Sequence, residues 1–326
     1  AERDKIWREN FRRHMREIFE ELYHVNPQFF YEPFAVFQYY RHYESVFGSE
    51  NKSETVLIID IGGGTFNSCI IGTTEEGYLS RGGAKSVPLG FQAEFCGGSQ
   101  VDKKLLEIII DKAKQQGIKW KDDPIVRAEK SHIPVLLTIE DAKIRLSEKI
   151  GTSAKLSDDY PHLKEYVNLK QGTLHPEVDV RVELTGDDLK SVIRYMWRRH
   201  WGNIIAKTVT EAQKKIPFDY LDKILVAGGS SRLPFTKEEI HLALRSIVDM
   251  QDIYFGSGTG KAVAIGIACE CMEQVKRNPQ LSVGKIAPCI LNDLYLGFRK
   301  SRRDPIVIPK KIKGPDGSIS KEGQLL

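Results

Sequence analysis

A run of three glycines between two apolar segments constrains this chain more than any other feature. Residues 56–61 and 65–71 are rich in β-branched side chains, which predicts two buried strands joined by Gly62, Gly63 and Gly64. Glycine lacks a side chain and reaches φ > 0, so this backbone can approach a ligand closely. We interpret the segment as a hairpin whose N–H groups form a concave nest for phosphate oxygens.

Two polar residues flank these glycines and suggest chemistry. Asp60 closes the first strand and Thr65 opens the second, where a metal ion and a water would sit. A Rossmann fingerprint fits less well because the chain continues as a strand and not as a helix. A Walker P-loop is excluded because neither Gly-Lys-Ser nor Gly-Lys-Thr follows. An ordinary hairpin turn is the alternative that the motif alone leaves open.

Composition excludes several classes of protein. The length of 326 residues suggests about two domains. Lys and Arg number 48 against 44 Asp and Glu, a near balance that predicts neither a nucleic-acid-binding nor a membrane-binding surface. No apolar run approaches the roughly 20 residues needed to span a bilayer. The 5 cysteines lack Cys-x-x-Cys spacing, which predicts reduced thiols and a cytoplasmic location.

The remaining patterns predict an α/β fold. Helices are predicted over 5–23, 32–46, 100–116, 122–147 with a break near Pro134, 185–214 and 261–275, and short strands over 29–31, 178–182 and 223–227. Capping-box patterns predict helix starts at Thr138, Thr185 and Thr236. After Pro279 the chain changes to short β runs.

Two further glycine turns follow predicted strands or precede helices. One is Gly228-Gly229-Ser230 with Arg232 close behind, and the other spans residues 256–260. Strand ends in α/β folds are where ligands bind. The first of these turns would let a flat ring or a ribose lie against the backbone. A plain strand-to-helix connection, with glycines that only permit close packing, is the alternative.

Six segments resemble those of one family, in the right order and at similar spacing. They are 32–35 (EPFA), 60–66 (DIGGGTF), 97–102 (GGSQVD), 140–147 (EDAKIRLS), 226–234 (VAGGSSRLP) and 262–266 (AVAIG). Together they resemble the ATPase domain of the seventy-kilodalton heat-shock chaperones of DnaK type, in the actin and sugar-kinase superfamily. The resemblance covers residues 5–275.

The resemblance implies a fold and a domain division. The expected fold is an actin-like, ribonuclease H-like α/β ATPase with two lobes around a nucleotide cleft. Residues 1–278 would form this domain, and residues 279–326 a β-rich extension, a linker or the start of a substrate-binding region. The family's first phosphate motif and its lysine have no counterpart before Asp60, so the N-terminal part of the domain is expected to be incomplete.

The resemblance also implies roles in binding Mg-ATP or Mg-ADP. Asp60 would hold the magnesium through water and help to orient the attacking water, Glu32 would contact the metal's waters, and Thr65 would lie near the γ-phosphate. Further nucleotide contacts would come from a larger set of residues. These are Gly62, Gly63, Gly64, Gly98, Glu140, Lys143, Ser147, Gly228, Gly229, Ser230 and Arg232.

Four departures from the family pattern predict weaker or altered nucleotide binding. Asn67 replaces a second aspartate, and an amide neither supplies negative charge nor accepts a proton. Ile144 replaces an arginine that stacks on adenine, and the planar cation contact is lost. Ser99 replaces a glutamate at the ribose turn, and Gly260 replaces an aspartate near the adenine wall.

The leading hypothesis is a chaperone-like switch that couples nucleotide binding to conformational change and to a co-chaperone-like or client protein. ATPase activity is expected of the full-length family member and is expected to be weak or absent in this chain alone. The alternative is a catalytically impaired nucleotide-binding scaffold. An actin-like filament subunit is less favoured, and a small-molecule kinase least, because no residue presents itself as the base for a substrate hydroxyl.

Overall fold

The computed structural model describes residues 2–27, 29–47, 54–73, 88–117, 134–151, 154–169 and 180–277. Strand β1 (Glu54–Ile61) pairs antiparallel with β2 (Phe66–Thr73), with Ile61 opposite Phe66. Residues 62–65 therefore form the turn of a hairpin, as the sequence predicted. Residues 29–31 are not a strand, so that prediction is wrong.

The hairpin belongs to a mixed five-stranded sheet. The other strands are β3 (Pro88–Glu94), β6 (Lys223–Ala227) and β7 (Ile253–Phe255), and the order across the sheet is β3-β2-β1-β6-β7. Strands β1, β6 and β7 run parallel, while β1, β2 and β3 are antiparallel. Because β1 and β6 are parallel neighbours with Asp60 opposite Ala227, the turns that follow them leave the same edge of the sheet.

Both faces of the sheet are buried, which explains the continuous apolar sequence of β1. Leu57, Ile59 and Ile61 belong to one core, while Val56 and Ile58 belong to another on the opposite face. Helix α2 (Glu32–Gln38) covers the second face, and a π-helical turn continues it over Tyr39–Tyr43. The predicted helix over 32–46 is thus present, with Pro33 in its first turn.

The first core continues into helices and a small hairpin. The helices are α3 (Gly98–Gln115), α4 (Pro134–Ile150), α5 (Gly186–Met196) and α6 (Gly202–Lys215), and the hairpin pairs β4 (Lys164–Leu169) with β5 (Val180–Thr185). Thr185 forms the predicted capping box with Asp188 at the start of α5. The helix predicted over 185–214 is interrupted by a π-helical turn at Trp197–Trp201.

Two capping-box predictions are wrong. Thr138 lies inside α4, which begins at Pro134 and not four residues later. At α7 (Thr236–Leu244) the preceding residue, Phe235, is left-handed with φ 66°, and the Thr236 hydroxyl donates to the carbonyl of Leu233 at 2.7 Å. Thr236 is therefore the first residue of α7 and not its cap, and no side chain caps this helix.

The remaining helices are α1 (Glu2–Tyr23) and α8 (Ala262–Arg277). The chain divides into two compact units, 1–266 and 267–326, and the candidate site lies wholly in the first. Residues 279–326, for which a β-rich extension is predicted, lie outside the described residues. A mixed sheet with helices against both faces fits the α/β, actin-like ATPase fold that was expected. None of the described helices combines the length and apolar character needed to cross a membrane.

Candidate functional site

The turns after β1 and β6 lie in direct contact. Gly228 has φ 87°, and a Cβ atom built on it would lie 2.3 Å from the Ile61 carbonyl oxygen and 2.4 Å from Asp60 Oδ1. Any side chain at position 228 would displace one of these groups. Close packing alone therefore explains Gly228, whereas at Gly229 the space beside the Cα is open.

A third glycine turn fixes the orientation of the hairpin. The N–H groups of Gly98 and Ser99 donate to the carbonyls of Gly62 and Gly63 at 2.9 and 2.7 Å, and Gly97 donates to Gly64 at 3.3 Å. A Cβ atom on Gly97 would lie 2.5 Å from the Gly62 oxygen, so glycine is required there as well. All three glycine carbonyls of the hairpin turn thus accept a hydrogen bond from the 97–99 segment.

The amides of the hairpin turn remain available on the other side. Gly63 and Gly64 are exposed, and no atom of the described residues lies within 4 Å of a Cβ built on either. Within the described chain their N–H groups make no hydrogen bond. None of the three glycines has a left-handed φ, so the expected nest based on φ > 0 is not formed. The turn therefore offers a ligand two exposed N–H groups, and not a nest built from left-handed glycines.

The glycine turn after β7 completes the arrangement. Gly228 N–H donates to the Thr259 carbonyl at 3.0 Å, and a Cβ on Gly260 would lie 3.9 Å from the Gly229 Cα. The π-helical turn after α2 holds this loop, since Gly256 N–H donates to the Tyr40 hydroxyl at 2.7 Å and Gly258 N–H to the Tyr39 hydroxyl at 2.8 Å. Four turns from distant parts of the chain therefore meet at one edge of the sheet.

Two carboxylates and one amide lie beside these turns. Asn67 is directly opposite Asp60 in the β1–β2 ladder, and its Nδ2 donates to Glu32 Oε2 at 3.4 Å. Burial raises the pKa of Asp60 to about 6, and the negative charge of Glu32 adds to this rise. A buried carboxylate with a like charge nearby is costly to ionise, which is the electrostatic condition that a cation would relieve.

The carboxylates fit a water-mediated magnesium ion. Mg²⁺ keeps several waters in proteins and is bound by one or two carboxylates together with substrate phosphates. Asp60 and Glu32 supply two carboxylates next to the exposed amides of Gly63 and Gly64. Among the described residues no group of three or more His, Cys, Asp or Glu side chains forms a direct metal cage. The donor set therefore suits Mg²⁺ held through water and not a structural metal.

The side chains predicted to contact adenosine from α4 already have partners within the protein. Lys143 is buried and forms an ion pair with Asp102 of α3 at 2.8 Å. The Ser147 hydroxyl donates to the Lys143 carbonyl at 2.7 Å. Glu140 and Ile144 are exposed on the same helix. Lys143 thus ties α4 to the second turn of α3, four residues after Gly98.

On the opposite side, the Ser230 hydroxyl reaches α3 and Arg232 reaches the β7 loop. A Cβ built on Gly98 would lie 2.3 Å from Ser230 Oγ, and Arg232 Nε donates to Thr259 Oγ1 at 3.4 Å. Arg232 remains exposed. Thr65 lies at the end of the hairpin turn, where its carbonyl accepts from Gly62 N–H at 2.9 Å. The predicted roles of all these residues in ligand binding stay predictions.

Sequence reasoning gave no role to several residues that build this edge. Asp102 holds Lys143, Tyr40 holds the 256–258 loop, and Trp201 donates its indole N–H to the Cys96 carbonyl beside the Gly97–Gly98 turn. Asp102 lies inside the family-like segment 97–102, so the sequence could have indicated that this residue matters for the site. Tyr40 and Trp201 carried none, because their partners lie more than 100 positions away.

The fold and this edge define a protein with an actin-like ATPase fold whose strand-end glycine turns converge. The model of the Hsp70 protein family matches residues 46–288, well over half of the chain. The chain belongs to the Hsp70 protein family. It is similar to the chaperone protein DnaK of Endomicrobium trichonymphae, at 26% identity over 224 residues, which is 66% of this chain and 32% of the relative. The chain thus matches about a third of the length of that protein.

Proposed function

We propose that this chain is the nucleotide-holding part of an Hsp70-type chaperone switch that binds Mg-ATP and Mg-ADP. The phosphates lie against the amides of Gly63 and Gly64, and the nucleoside lies between α4 and the Gly228–Arg232 segment. Asp60 and Glu32 hold the magnesium through water, and Thr65 lies beside the terminal phosphate. Nucleotide binding then changes the affinity for a co-chaperone-like or client protein.

The observation that supports this proposal most strongly is the contrast between the two sides of the hairpin turn. The carbonyls of Gly62, Gly63 and Gly64 all accept hydrogen bonds from the 97–99 segment. Gly63 and Gly64 are exposed, and their N–H groups make no hydrogen bond among the described residues. Backbone N–H groups are common ligands of phosphate. Magnesium would supply a positive charge beside the carboxylates of Asp60 and Glu32, and both burial and the repulsion between these carboxylates raise the pKa of Asp60.

The experiment is isothermal titration of the full chain with Mg-ATP and Mg-ADP, with Gly63→Val as the test variant. A side chain at position 63 meets no atom of the described protein, so the fold is expected to be unaffected. The same side chain blocks the approach of a phosphate to the amides. We expect an affinity loss of at least about tenfold, which is 1.4 kcal/mol.

Ser157→Val, in an exposed turn outside this edge, is the matched control and is expected to bind like the wild type. Thermal denaturation shows whether each variant is folded. A folded Gly63→Val variant with wild-type affinity would mean that phosphates do not lie on this turn. No binding of either nucleotide to the wild-type chain would mean that the proposed function is wrong.

The impaired scaffold is a second candidate because of Asn67. This amide is directly opposite Asp60 and donates to Glu32, so it occupies the place where a third carboxylate would face the metal's waters. An amide cannot accept a proton from the attacking water. In this alternative the chain binds nucleotide, and the resulting conformational change alters its affinity for a partner protein without rapid ATP hydrolysis. A partner whose affinity changes on addition of ATP, with no phosphate released, would distinguish the two.

A cytoplasmic location is part of the proposal and is supported by the thiols. Cys69, Cys96, Cys269 and Cys271 form no disulfide with one another in the part of the chain that the structure describes. Reduced thiols are typical of the cytosol. Neither nucleic acid nor a membrane is proposed as a partner.

A further inference from the structure

We infer that Tyr39 and Glu44 are positioning residues for the nucleoside, because they hold the glycine-rich loop 256–260 in place. This role rests on the proposed nucleotide-binding function and concerns the nucleoside half of the same site. The two side chains act through the loop, which supports the Gly228–Gly229 turn, and not through contact with the ligand. The phosphate half of the site does not depend on them.

The loop has little within its own sequence to fix its conformation. Three of its five residues are glycine, namely Gly256, Gly258 and Gly260. Glycine loses more conformational freedom on folding than any other residue. Ser257 and Gly260 are exposed, so the loop is not fixed by burial along its whole length. A segment of this composition takes one position only where neighbouring elements supply contacts that offset the lost entropy.

The π-helical turn Tyr39–Tyr43 supplies such contacts. In a π-helical turn the hydrogen bonds join residues five apart, and the Glu44 N–H donates to the Tyr39 carbonyl at 3.1 Å. This arrangement brings the two side chains together, and the Tyr39 hydroxyl donates to Glu44 Oε1. Single π-helical turns are rare and occur frequently at sites with a function.

Both side chains direct their hydrogen bonds to the loop. Glu44 Oε1 accepts from the Ser257 N–H at 2.7 Å and from the Ser257 hydroxyl at 2.8 Å, and the Tyr39 hydroxyl accepts from the Gly258 N–H at 2.8 Å. Although burial acts to raise the pKa of Glu44, the hydrogen bonds from Tyr39 and Ser257 keep it below its usual value. Glu44 is therefore ionised at neutral pH, and hydrogen bonds to a charged acceptor are about twice as strong as neutral ones.

Gly256 shows how closely the loop fits against these two side chains. A Cβ atom built on it would lie 2.5 Å from the Tyr39 hydroxyl oxygen and 2.9 Å from Glu44 Oε1. A side chain at position 256 would therefore push the loop away from both groups. Gly256→Ala thus displaces the loop without altering either of the residues that hold it.

The loop passes its position on to the nucleoside side of the site. The Thr259 carbonyl accepts from the Gly228 N–H at 3.0 Å, and Thr259 Oγ1 accepts from Arg232 Nε at 3.4 Å. Among the described residues, none of the loop's hydrogen bonds reaches the hairpin turn 62–65, whose glycine carbonyls are held by the 97–99 segment. Displacing the loop should therefore disturb the nucleoside and leave the phosphate turn unchanged.

The test is isothermal titration of the full chain with Mg-ATP and magnesium tripolyphosphate, with Glu44→Ala and Tyr39→Phe as variants. We expect each variant to bind ATP about tenfold more weakly, because the loop must then be ordered on binding, and to bind tripolyphosphate like the wild type. Glu44→Gln keeps an acceptor oxygen at the same place and should restore most of the affinity. Tyr43→Phe (58% exposed) and Glu20→Gln, exposed on α1, are the matched controls and should bind both ligands like the wild type.

A selective loss of ATP affinity is a result that general destabilisation would not produce, and thermal denaturation shows whether each variant is folded. Equal losses for ATP and tripolyphosphate, or unchanged ATP affinity in folded variants, would overturn the inference and leave the proposed function standing. If the wild type binds neither ligand, the proposed function and this inference both fail. Gly256→Ala should give the same selective loss, and wild-type affinities in that variant would also contradict the inference.

Discussion

At the scale of single residues, Asp60 shows a conflict between stability and function. It lies near the end of β1, is partly buried, and has Glu32 as a neighbour of like charge. Among the described residues no ion pair includes Asp60, yet the carboxylate stands beside the exposed amides of Gly63 and Gly64. A residue that destabilises the protein without ligand is expected where a ligand supplies the missing charge.

Asp60→Asn is expected to stabilise the protein without ligand near neutral pH. The pKa of Asp60 is raised to about 6 from 3.8, so its ionised form destabilises the fold above pH 6. The protonated form carries no such cost, so the wild type gains stability as the pH falls from 6 towards 4. The amide variant should be more stable by roughly 1–3 kcal/mol at pH 7.5 and lose that advantage at pH 4.

Urea denaturation at pH 7.5 and at pH 4 measures both differences. Glu32→Gln serves as the comparison, because it removes only the like charge and should give a smaller gain of the same sign. An Asp60→Asn variant that is less stable than the wild type at pH 7.5 would show that Asp60 has a stabilising partner.

At the scale of elements, the edge depends on contacts between segments that are far apart in sequence. The Tyr40 hydroxyl, on the π-helical turn after α2, contacts the Val226 carbonyl in β6 and accepts from Gly256 N–H beyond β7. One buried group thus connects α2 with the ends of two strands. The position of the 256–260 turn depends on this group more than on its own sequence.

Tyr40→Phe is expected to lower the free energy of unfolding by about 1–3 kcal/mol, because it leaves a buried carbonyl and a buried N–H without their partner. Tyr43→Phe is the control, since Tyr43 is 58% exposed, and it should change stability by less than about 0.5 kcal/mol. Hydrogen exchange of the Gly256 amide should accelerate in the first variant alone. Equal stabilities for the two variants would show that the Tyr40 hydroxyl does not hold the turn.

The first residues of α8, 262–266, require glycine where they pack against α2. A Cβ atom on Gly266 would lie 1.7 Å from the Ala35 carbonyl oxygen, which is backbone and cannot move alone. Gly266→Ala should therefore destabilise the protein by about 1–3 kcal/mol through a shift of the two helices. Ala264→Ser, exposed on the same helix, should change stability by less than about 0.5 kcal/mol. Chemical denaturation compares the two, and a neutral Gly266→Ala would mean that the helices can separate without cost.

The elements that the sequence predicted correctly are those with a local signal. The hairpin around Gly62–Gly64, the capping box at Thr185 and strand β6 each follow from neighbouring residues. Thr138 and Thr236 carry the same local capping pattern but lie in contexts that override it, inside α4 and after the left-handed Phe235. The pairing of Lys143 with Asp102 joins two helices, and no local pattern encodes it.

At the scale of the whole molecule, four turns that are up to 200 residues apart share one edge because β1 and β6 are parallel neighbours. The order of the family-like segments predicted that the turns belong together, but only the sheet explains how they meet. The chain belongs to the Hsp70 protein family and matches about a third of the length of the DnaK relative. In the proposed complex the described residues would contact the phosphates from one side only, since none of their atoms lies within 4 Å of a Cβ built on Gly63 or Gly64.

That one-sided geometry leads to the expectation that the chain binds Mg-ATP but releases phosphate slowly. Phosphoryl transfer needs charge neutralisation around the whole transferred group, and Asn67 contributes neither charge nor a base. A thermal shift with Mg-ATP and a steady-state phosphate assay on the same chain should therefore give stabilisation with little turnover. Asn67→Asp restores a carboxylate opposite Asp60 and should increase phosphate release, while Asn67→Ala should not. Rapid phosphate release by the wild-type chain would contradict this expectation. It would require further groups that contact the phosphates from the side on which the described residues have none.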